Sequence, residues 1–431
     1  MSEYGSSTLA LHAGWESDPT TKSVAVPIYQ TTSYSFDSTE HAANLFALKE
    51  FGNIYTRLMN PTNDVLEKRL ATLEGGVGAL ATSSGMSAIF LAVTTIAKAG
   101  DHIIASSSLY GGTETLFRHT LPKFGIEVTF IENITAETVK AAVKENTRLV
   151  YLETIGNPRG DVADLKTVTD AAHAEGLPVL IDNTFAPQIC KPIEHGVDVV
   201  IYSCTKWLGG HGTSVGGVII DSGNFNWGQG RHPEFTTPDQ SYHGLVYWDA
   251  LGNVPGMGNV AFILKARVEG LRNIGMSQSP FNAFQIIQGI ETLSLRVKKH
   301  GENAVELAKW LKEQPEVAWV SFTGLEEHPS HETAKKYLKG SFGSVLGFGV
   351  KGGAEAAEKF INSVELAFHL ANVGDARTLV IHPASTTHQQ LSAEAQEACG
   401  IKPDFVRVSV GIEDIADIKA DFKQALEASQ K

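Results

Sequence analysis

Between residues 76 and 221 short apolar runs alternate with helical stretches, most of which end in glycine, and this rhythm restricts the fold more than any other feature of the chain. "GALATS", "DHIIASS", "EVTFIE", "RLVYLETI", "LPVLIDNT", "DVVIYSCT" and "SVGGVIID" read as strands. "GMSAIFLAVTTIAKAG", "LYGGTETLFRHTLPKFG", "AETVKAAVKEN" and "DLKTVTDAAHAEG" lie between them and read as helices. Strands apolar on both faces need covering on both sides, and intervening helices provide it. The expected class is α/β, with a mostly parallel, doubly wound sheet.

The flanks differ. Residues 1–60 are rich in Thr, Ser and Tyr with little periodicity apart from the short helix "TEHAANLFAL", and read as an arm that packs on something else. Regular patterning begins in "NPTNDVLEKRLATLEG", where Val65, Leu66, Leu70 and Leu73 fall at helical spacing before Gly75-Gly76. After Gly256 long amphipathic helices appear, followed by "GSVLGFGV", "TLVIHP" and "FVRVSV" as strands with "GAEAAEKFINSV" and "DIADIKADFKQALEAS" as helices. The expected division is therefore an arm (1–60), a large domain (61–257) and a smaller C-terminal α+β domain (258–431). The segment "SGNFNWGQGRHPEFTTPDQSYHG" is too long for an ordinary connection and is expected to be functional or mobile.

Composition removes several classes of function. The chain has 35 Lys+Arg against 48 Asp+Glu, a net charge of −13, and no basic cluster interleaved with aromatics, so neither nucleic acid nor an anionic membrane is an expected partner. Cys190, Cys204 and Cys399 are widely spaced and contain no CxxC pair, which suits reduced thiols in the cytoplasm. The absence of a long apolar run points to a soluble protein.

In a doubly wound sheet ligands sit beyond the carboxyl ends of the strands. "RLVYLETIGNP" ends in Glu153 and Asn157, "LPVLIDNTFA" in Asp182 and Thr184, and "DVVIYSCTKW" in Ser203, Thr205 and Lys206. A lysine amine forms a Schiff base with an aldehyde, and an acid facing a pyridine nitrogen keeps that ring protonated and electron-accepting; pyridoxal 5′-phosphate requires both. Gly85 and Met86 open a helix whose free N–H groups suit its phosphate, Ser203 and Thr205 add hydroxyls, and Tyr110 follows another strand where its ring could stack. Taken singly, Lys206 is an ordinary solvated lysine, Asp182 a helix cap and Tyr110 a packing residue. Their joint position at successive strand ends favours the site.

Competing motifs have the wrong context. Gly76 to Ala81 matches G-x-G-x-x-A with Asp101 downstream, but the glycines follow a helix and precede a strand, the reverse of what a nicotinamide-dependent oxidoreductase requires. His211, His382 and His388 lack metal-ligand spacing and read as hydrogen-bonded structural residues, so no metal is expected; Cys204 reads as a core thiol.

"VDVVIYSCTKWLGGHG", "VLIDNTFA", "ETIGNP", "YTRLMNPT" and "SSGMSAI" together resemble the Cys/Met-metabolism family of pyridoxal-phosphate enzymes, which have the aspartate-aminotransferase-like fold type I. The resemblance implies that Lys206 carries the cofactor and shuttles protons, that Asp182 pairs with the ring nitrogen and that Tyr110 stacks on the ring, where Tyr110 is also expected to assist the proton transfers. It places Gly85, Met86, Ser203 and Thr205 at the phosphate, with Thr184 among the cofactor contacts, and Asn157 beside the ring hydroxyl. Tyr55 and Arg57 are expected to reach the phosphate of an adjacent subunit, and Arg407 to grip the substrate carboxylate. "ANVGDARTLVIHPASTTH" departs from the commonest pattern, with Asn372 where a serine and Arg377 where a glutamate are usual, and Asn372 is expected at the substrate. This segment, the "ETIGNP" turn and the long loop resemble the branch that converts O-acetylhomoserine and sulfide to homocysteine. Cystathionine γ-synthase and methionine γ-lyase chemistry are the alternatives on the same scaffold. A homo-oligomer is expected, a tetramer arranged as a dimer of dimers.

Overall fold

The computed structural model describes residues 4–387, 389, 396 and 400–431; Cys399 and His388 lie outside them. Strands β1 (Gly78–Thr82), β2 (His102–Ser106), β3 (Glu127–Ile131), β4 (Thr147–Glu153), β5 (Val179–Asp182), β6 (Val199–Ser203) and β7 (Gly217–Asp221) form one sheet in the order β1-β7-β6-β5-β4-β2-β3. Every pairing from β3 through β6 is parallel, and β7 runs antiparallel to both β6 and β1.

Successive side chains of a strand point to opposite faces, and here both faces are apolar. Ala79, Ile104, Val150, Ile181 and Val200 enter one core beneath the helix Pro61–Glu74. Leu80, Ile103, Leu149, Leu180 and Ile201 enter the other beneath the helix Gly85–Ile96. The Pro61–Glu74 helix begins where the Asn60 side chain accepts the Thr62 N–H, with Pro61 at its first position, and stops at Gly75 in a left-handed conformation (φ 82°). The glycines of the G-x-G-x-x-A match therefore close a helix and enter β1, the context anticipated from the sequence.

A second sheet is built from β8 (Val317–Ser321), β9 (Val345–Val350), β10 (Phe368–His369), β11 (Leu379–Ile381) and β12 (Phe405–Ser409), in the order β10-β11-β12-β9-β8. The helices Gly353–Ser363 and Ile415–Ser429 cover it, and Phe360 meets Phe422 edge-on at 5.2 Å between ring centres. Strands β8 and β10 are additions to the sequence reading. Both are edge strands, and β10 is two exposed residues long, too short for any periodicity.

Packing crosses the 257/258 position. Phe262, Ile263, Ala266 and Leu271 share the core of Leu80 and Ile219, and Ile286, Ile287 and Ile290 share that of Ile181. The long connection after β7 carries a structural function that the sequence reading did not consider. Its Trp227 is fully buried and stacks on Phe235 at 4.6 Å and on Phe262 at 5.2 Å.

Candidate active site

Because β4, β5 and β6 are neighbours, their carboxyl ends open onto one cavity of about 400 Å³. Its lining includes Gly85, Met86, Tyr110, Glu153, Asn157, Asp182, Thr184, Ser203, Thr205, Lys206, Asn372 and Arg407. Of the residues expected at the site, only Tyr55 and Arg57 are elsewhere. They line a separate cavity, where Arg57 Nη1 donates to the Arg272 carbonyl at 2.9 Å.

One end of the cavity is shaped by glycine. Gly85 starts the helix Gly85–Ile96, and a Cβ on it would lie 2.7 Å from the Ser203 Cβ; a Cβ on Gly217 would lie 2.1 Å from the Ser84 carbonyl oxygen. The strand-to-helix turn thus sits directly on β6 and β7. Ser84 caps the helix by accepting the Ser87 N–H at 3.1 Å, leaving the Gly85 and Met86 amides outside the helical ladder. Thr205 is fixed by accepting the Gly216 N–H at 3.1 Å, and Ser203 by donating its own N–H to Thr184 Oγ1 at 2.8 Å. These neutral donors make a cradle for an anion, and the cations lining the cavity are Lys206 and Arg407.

Lys206 lies three residues beyond β6, and its Nζ donates to Asn372 Oδ1. Burial lowers its amine to about 8, with Arg407 adding to the effect and Asp182 opposing it. Asp182 closes β5 and is raised to about 6 by burial, against the pull of the Thr184 hydroxyl and of the Thr184 N–H, which Oδ1 accepts at 2.8 Å. A lysine with an accessible free base beside an acid kept from full ionisation is the pattern of a working site. Arg407 arrives from β12 in the second sheet, is 6% exposed, and donates to Asn157 Oδ1 at 3.4 Å. Burial lowers it to about 10, so it remains a cation.

Sequence reasoning missed Arg296, which has no local motif. Its guanidinium donates to the carbonyls of Trp207 at 2.8 Å and Gly289 at 2.5 Å, and so fixes the turn that follows Lys206. Arg377 forks onto Asp375 at 2.8 and 3.0 Å and does not line the cavity. His211 bonds the Gly209 carbonyl, and His382 is held by Ser385 and Pro403. Among the described residues no group of three or more His, Cys, Asp or Glu could hold a metal. Cys190 and Cys204 are free and buried, and burial pushes both thiols up.

A buried amine and acid at the ends of a mostly parallel sheet, beside an anion cradle and an arginine from the second sheet, suit a pocket of the kind found in fold type I pyridoxal-phosphate enzymes. The chain belongs to the Cys/Met metabolism PLP-dependent enzyme family, whose model matches residues 7–427. It is 55% identical to an O-acetyl-L-homoserine sulfhydrylase of Leptospira meyeri, over 97% of this chain and 96% of the relative. It is 54% identical to O-acetyl-L-homoserine sulfhydrylase 1 of Thermus thermophilus, over 97% and 99%. A Campylobacter jejuni crystal structure described as an O-acetylhomoserine (thiol)-lyase, carrying N′-pyridoxyl-lysine-5′-monophosphate, superposes with a TM-score of 0.94 at 38% identity, covering 98% of this chain and all of that one.

Proposed function

We propose that this enzyme catalyses the γ-replacement of O-acetyl-L-homoserine by sulfide, giving L-homocysteine and acetate. What carries the reading is the convergence of Lys206, Asp182 and Arg407 on one cavity in a chain so close to sulfhydrylases over its whole length. Pyridoxal phosphate, when bound, supplies an aldehyde that condenses with amines and a ring that takes up the electron pair left when a carbon loses its proton. Lys206 would hold it through its amine, and that amine, when free, would take the substrate's α-proton and later return it. Asp182 would keep the ring nitrogen protonated, and Tyr110 would offer its ring as a stacking face. Gly85, Met86, Ser203 and Thr205 would hold the phosphate and Asn157 would stand at the ring hydroxyl, while Thr184 orients Asp182 and Ser203. Arg407 orients the substrate through its α-carboxylate, and Asn372, by accepting from Lys206, sets where the amine rests between proton transfers.

The phosphate cradle is supplied with neutral donors by its own chain, whereas Tyr55 and Arg57 line a different cavity. We therefore assign residues 1–60 as an arm that buries Leu9, Ala10 and Ala13 in its own chain's core and contributes Tyr55 and Arg57 to a neighbouring subunit, 61–257 as the cofactor domain and 258–431 as the C-terminal domain, in a homotetramer built as a dimer of dimers. A cytoplasmic location suits the free buried cysteines.

Borohydride reduction followed by peptide mapping should place the pyridoxyl group on Lys206; a tag on another lysine rejects the assignment. Product analysis separates the same-scaffold alternatives: homocysteine from O-acetylhomoserine and sulfide is expected, and cystathionine from cysteine would favour the synthase reading. Co-refolding Arg57→Ala with Lys206→Ala chains should restore about a quarter of wild-type activity, since half of the randomly formed dimers are mixed and each contains one intact site. No recovery despite mixed dimers rejects the shared site.

A further inference from the structure

β4 ends on Glu153, and this side chain ties the end of the strand to the segment that carries Tyr110. Its Oε1 accepts the backbone N–H of Tyr110 at 2.6 Å, and its backbone lies in register with Asp182 on β5. Glu153 itself is 7% exposed. Tyr110 stands immediately before the short helix Gly111–Thr115, where no side chain caps the helix. Its ring lies against Gly112, where a Cβ would come within 2.6 Å of a ring carbon. The direction of the ring therefore follows its backbone, and the backbone amide is held by Glu153.

We propose that Glu153 is a positioning residue for the cofactor ring, acting through the Tyr110 backbone it fastens to the end of β4. The proposal rests on the reading above that Tyr110, Asn157 and Asp182 surround pyridoxal phosphate. The charge state agrees with the geometry. Burial, then Asp182, hold the Glu153 carboxyl protonated well above the ordinary carboxylate range, with Asp161 facing it from the following turn and Tyr151 from β4 itself. Two buried carboxylates on paired positions of adjacent strands repel, so one of them retains its proton. Glu153 is that one, leaving Asp182 as the single negative charge available to the ring nitrogen. A neutral acid still accepts amides through its carbonyl oxygen, and glutamine has the same shape and the same acceptor.

The test uses holoenzyme variants with two readouts besides activity: the visible circular dichroism of the bound cofactor, and its rate of release into an excess of a scavenging apoprotein. Glu153→Ala should release cofactor about tenfold faster, the scale of one buried hydrogen bond, with reduced visible dichroism. Glu153→Gln should stay within about twofold of wild type, as expected for an isostere of the neutral acid. In a Y110A background Glu153→Ala should add about twofold or less, because a residue that acts through the ring loses its effect with the ring. Should Glu153→Ala misfold by far-ultraviolet dichroism, Glu153→Asp withdraws the acceptor by one methylene and should still release cofactor severalfold faster. Wild-type release from Glu153→Ala, or from Glu153→Asp where the alanine variant misfolds, overturns the proposal, as does a glutamine variant as impaired as the alanine one. If Y110A and D182N themselves leave release and dichroism unchanged, the underlying cofactor reading fails instead, and the proposal with it.

Discussion

Replacing Asp182 with asparagine should stabilise the cofactor-free protein at neutral pH, although it removes a residue central to the proposed chemistry. The carboxyl is raised from 3.8 to about 6, with burial as the largest cause. Between those values the folded protein retains a proton that the unfolded chain has lost, so unfolding free energy falls as pH rises through the window. The shift of 6 − 3.8 = 2.2 units, at about 1.36 kcal/mol each, gives a penalty of about 3 kcal/mol by about pH 7.5 and about 1.5 kcal/mol at about pH 5. Asparagine keeps an oxygen for the Thr184 N–H but carries no charge to desolvate. Lys206 loses a favourable partner, so the net gain at about pH 7.5 should lie at about 1–3 kcal/mol. Urea unfolding of cofactor-free wild type and Asp182→Asn at both pH values measures it. The variant should be the more stable at about pH 7.5, and its advantage should shrink by about 1.5 kcal/mol at about pH 5. No advantage at the higher pH, or one independent of pH, would refute the burial argument.

Lys206, lowered from 10.5 to about 8, should condense with pyridoxal in the cofactor-free enzyme at a rate that climbs with pH and levels off above about 8; a rate still climbing toward 10.5 would show an ordinary solvated lysine. Gly217→Ala places a Cβ 2.1 Å from the Ser84 carbonyl oxygen and should cost about 1–3 kcal/mol in stability while weakening phosphate binding, both visible in melting curves with and without cofactor. Arg407→Lys should raise KM about tenfold or more with a smaller effect on kcat, because lysine lacks the two-pronged fork; an unchanged affinity for an unreactive amino-acid analogue would place the carboxylate elsewhere. Phe360→Ala, emptying the centre of the second sheet's core, should cost about 3–5 kcal/mol in urea unfolding.

The strands of the large sheet could be read directly because each is a short run, mostly apolar, with its own boundaries, and the strand ends then pointed to Asp182, Ser203 and Lys206. The second sheet was only partly legible. β8 has one fully buried residue among its five, so its alternation is faint, and β10 is too short to leave a pattern. The stretches 259–275 and 285–314 read as amphipathic, yet an apolar stripe does not say which sheet will cover it, and Phe262, Ile263, Ile286 and Ile290 pack onto the large one. Nor did the polar appearance of the loop after β7 disclose that Trp227 would bury itself against Phe235 and Phe262.

By itself the sequence determined which residues are candidates for the proposed chemistry, since an amine, a carboxyl and a glycine-opened helix are local properties that short stretches encode. Tertiary structure alone decided which of them meet and in what state. Strand order makes β4, β5 and β6 neighbours; the second sheet brings Arg407 across to Asn157; and Arg296, distant in the chain, fastens the turn behind Lys206. Burial then moves Lys206 down and Asp182 up. The physical reason is that desolvation and hydrogen-bond geometry belong to the assembled cavity, where segments far apart in sequence exclude water together, and no stretch of chain has them before it folds.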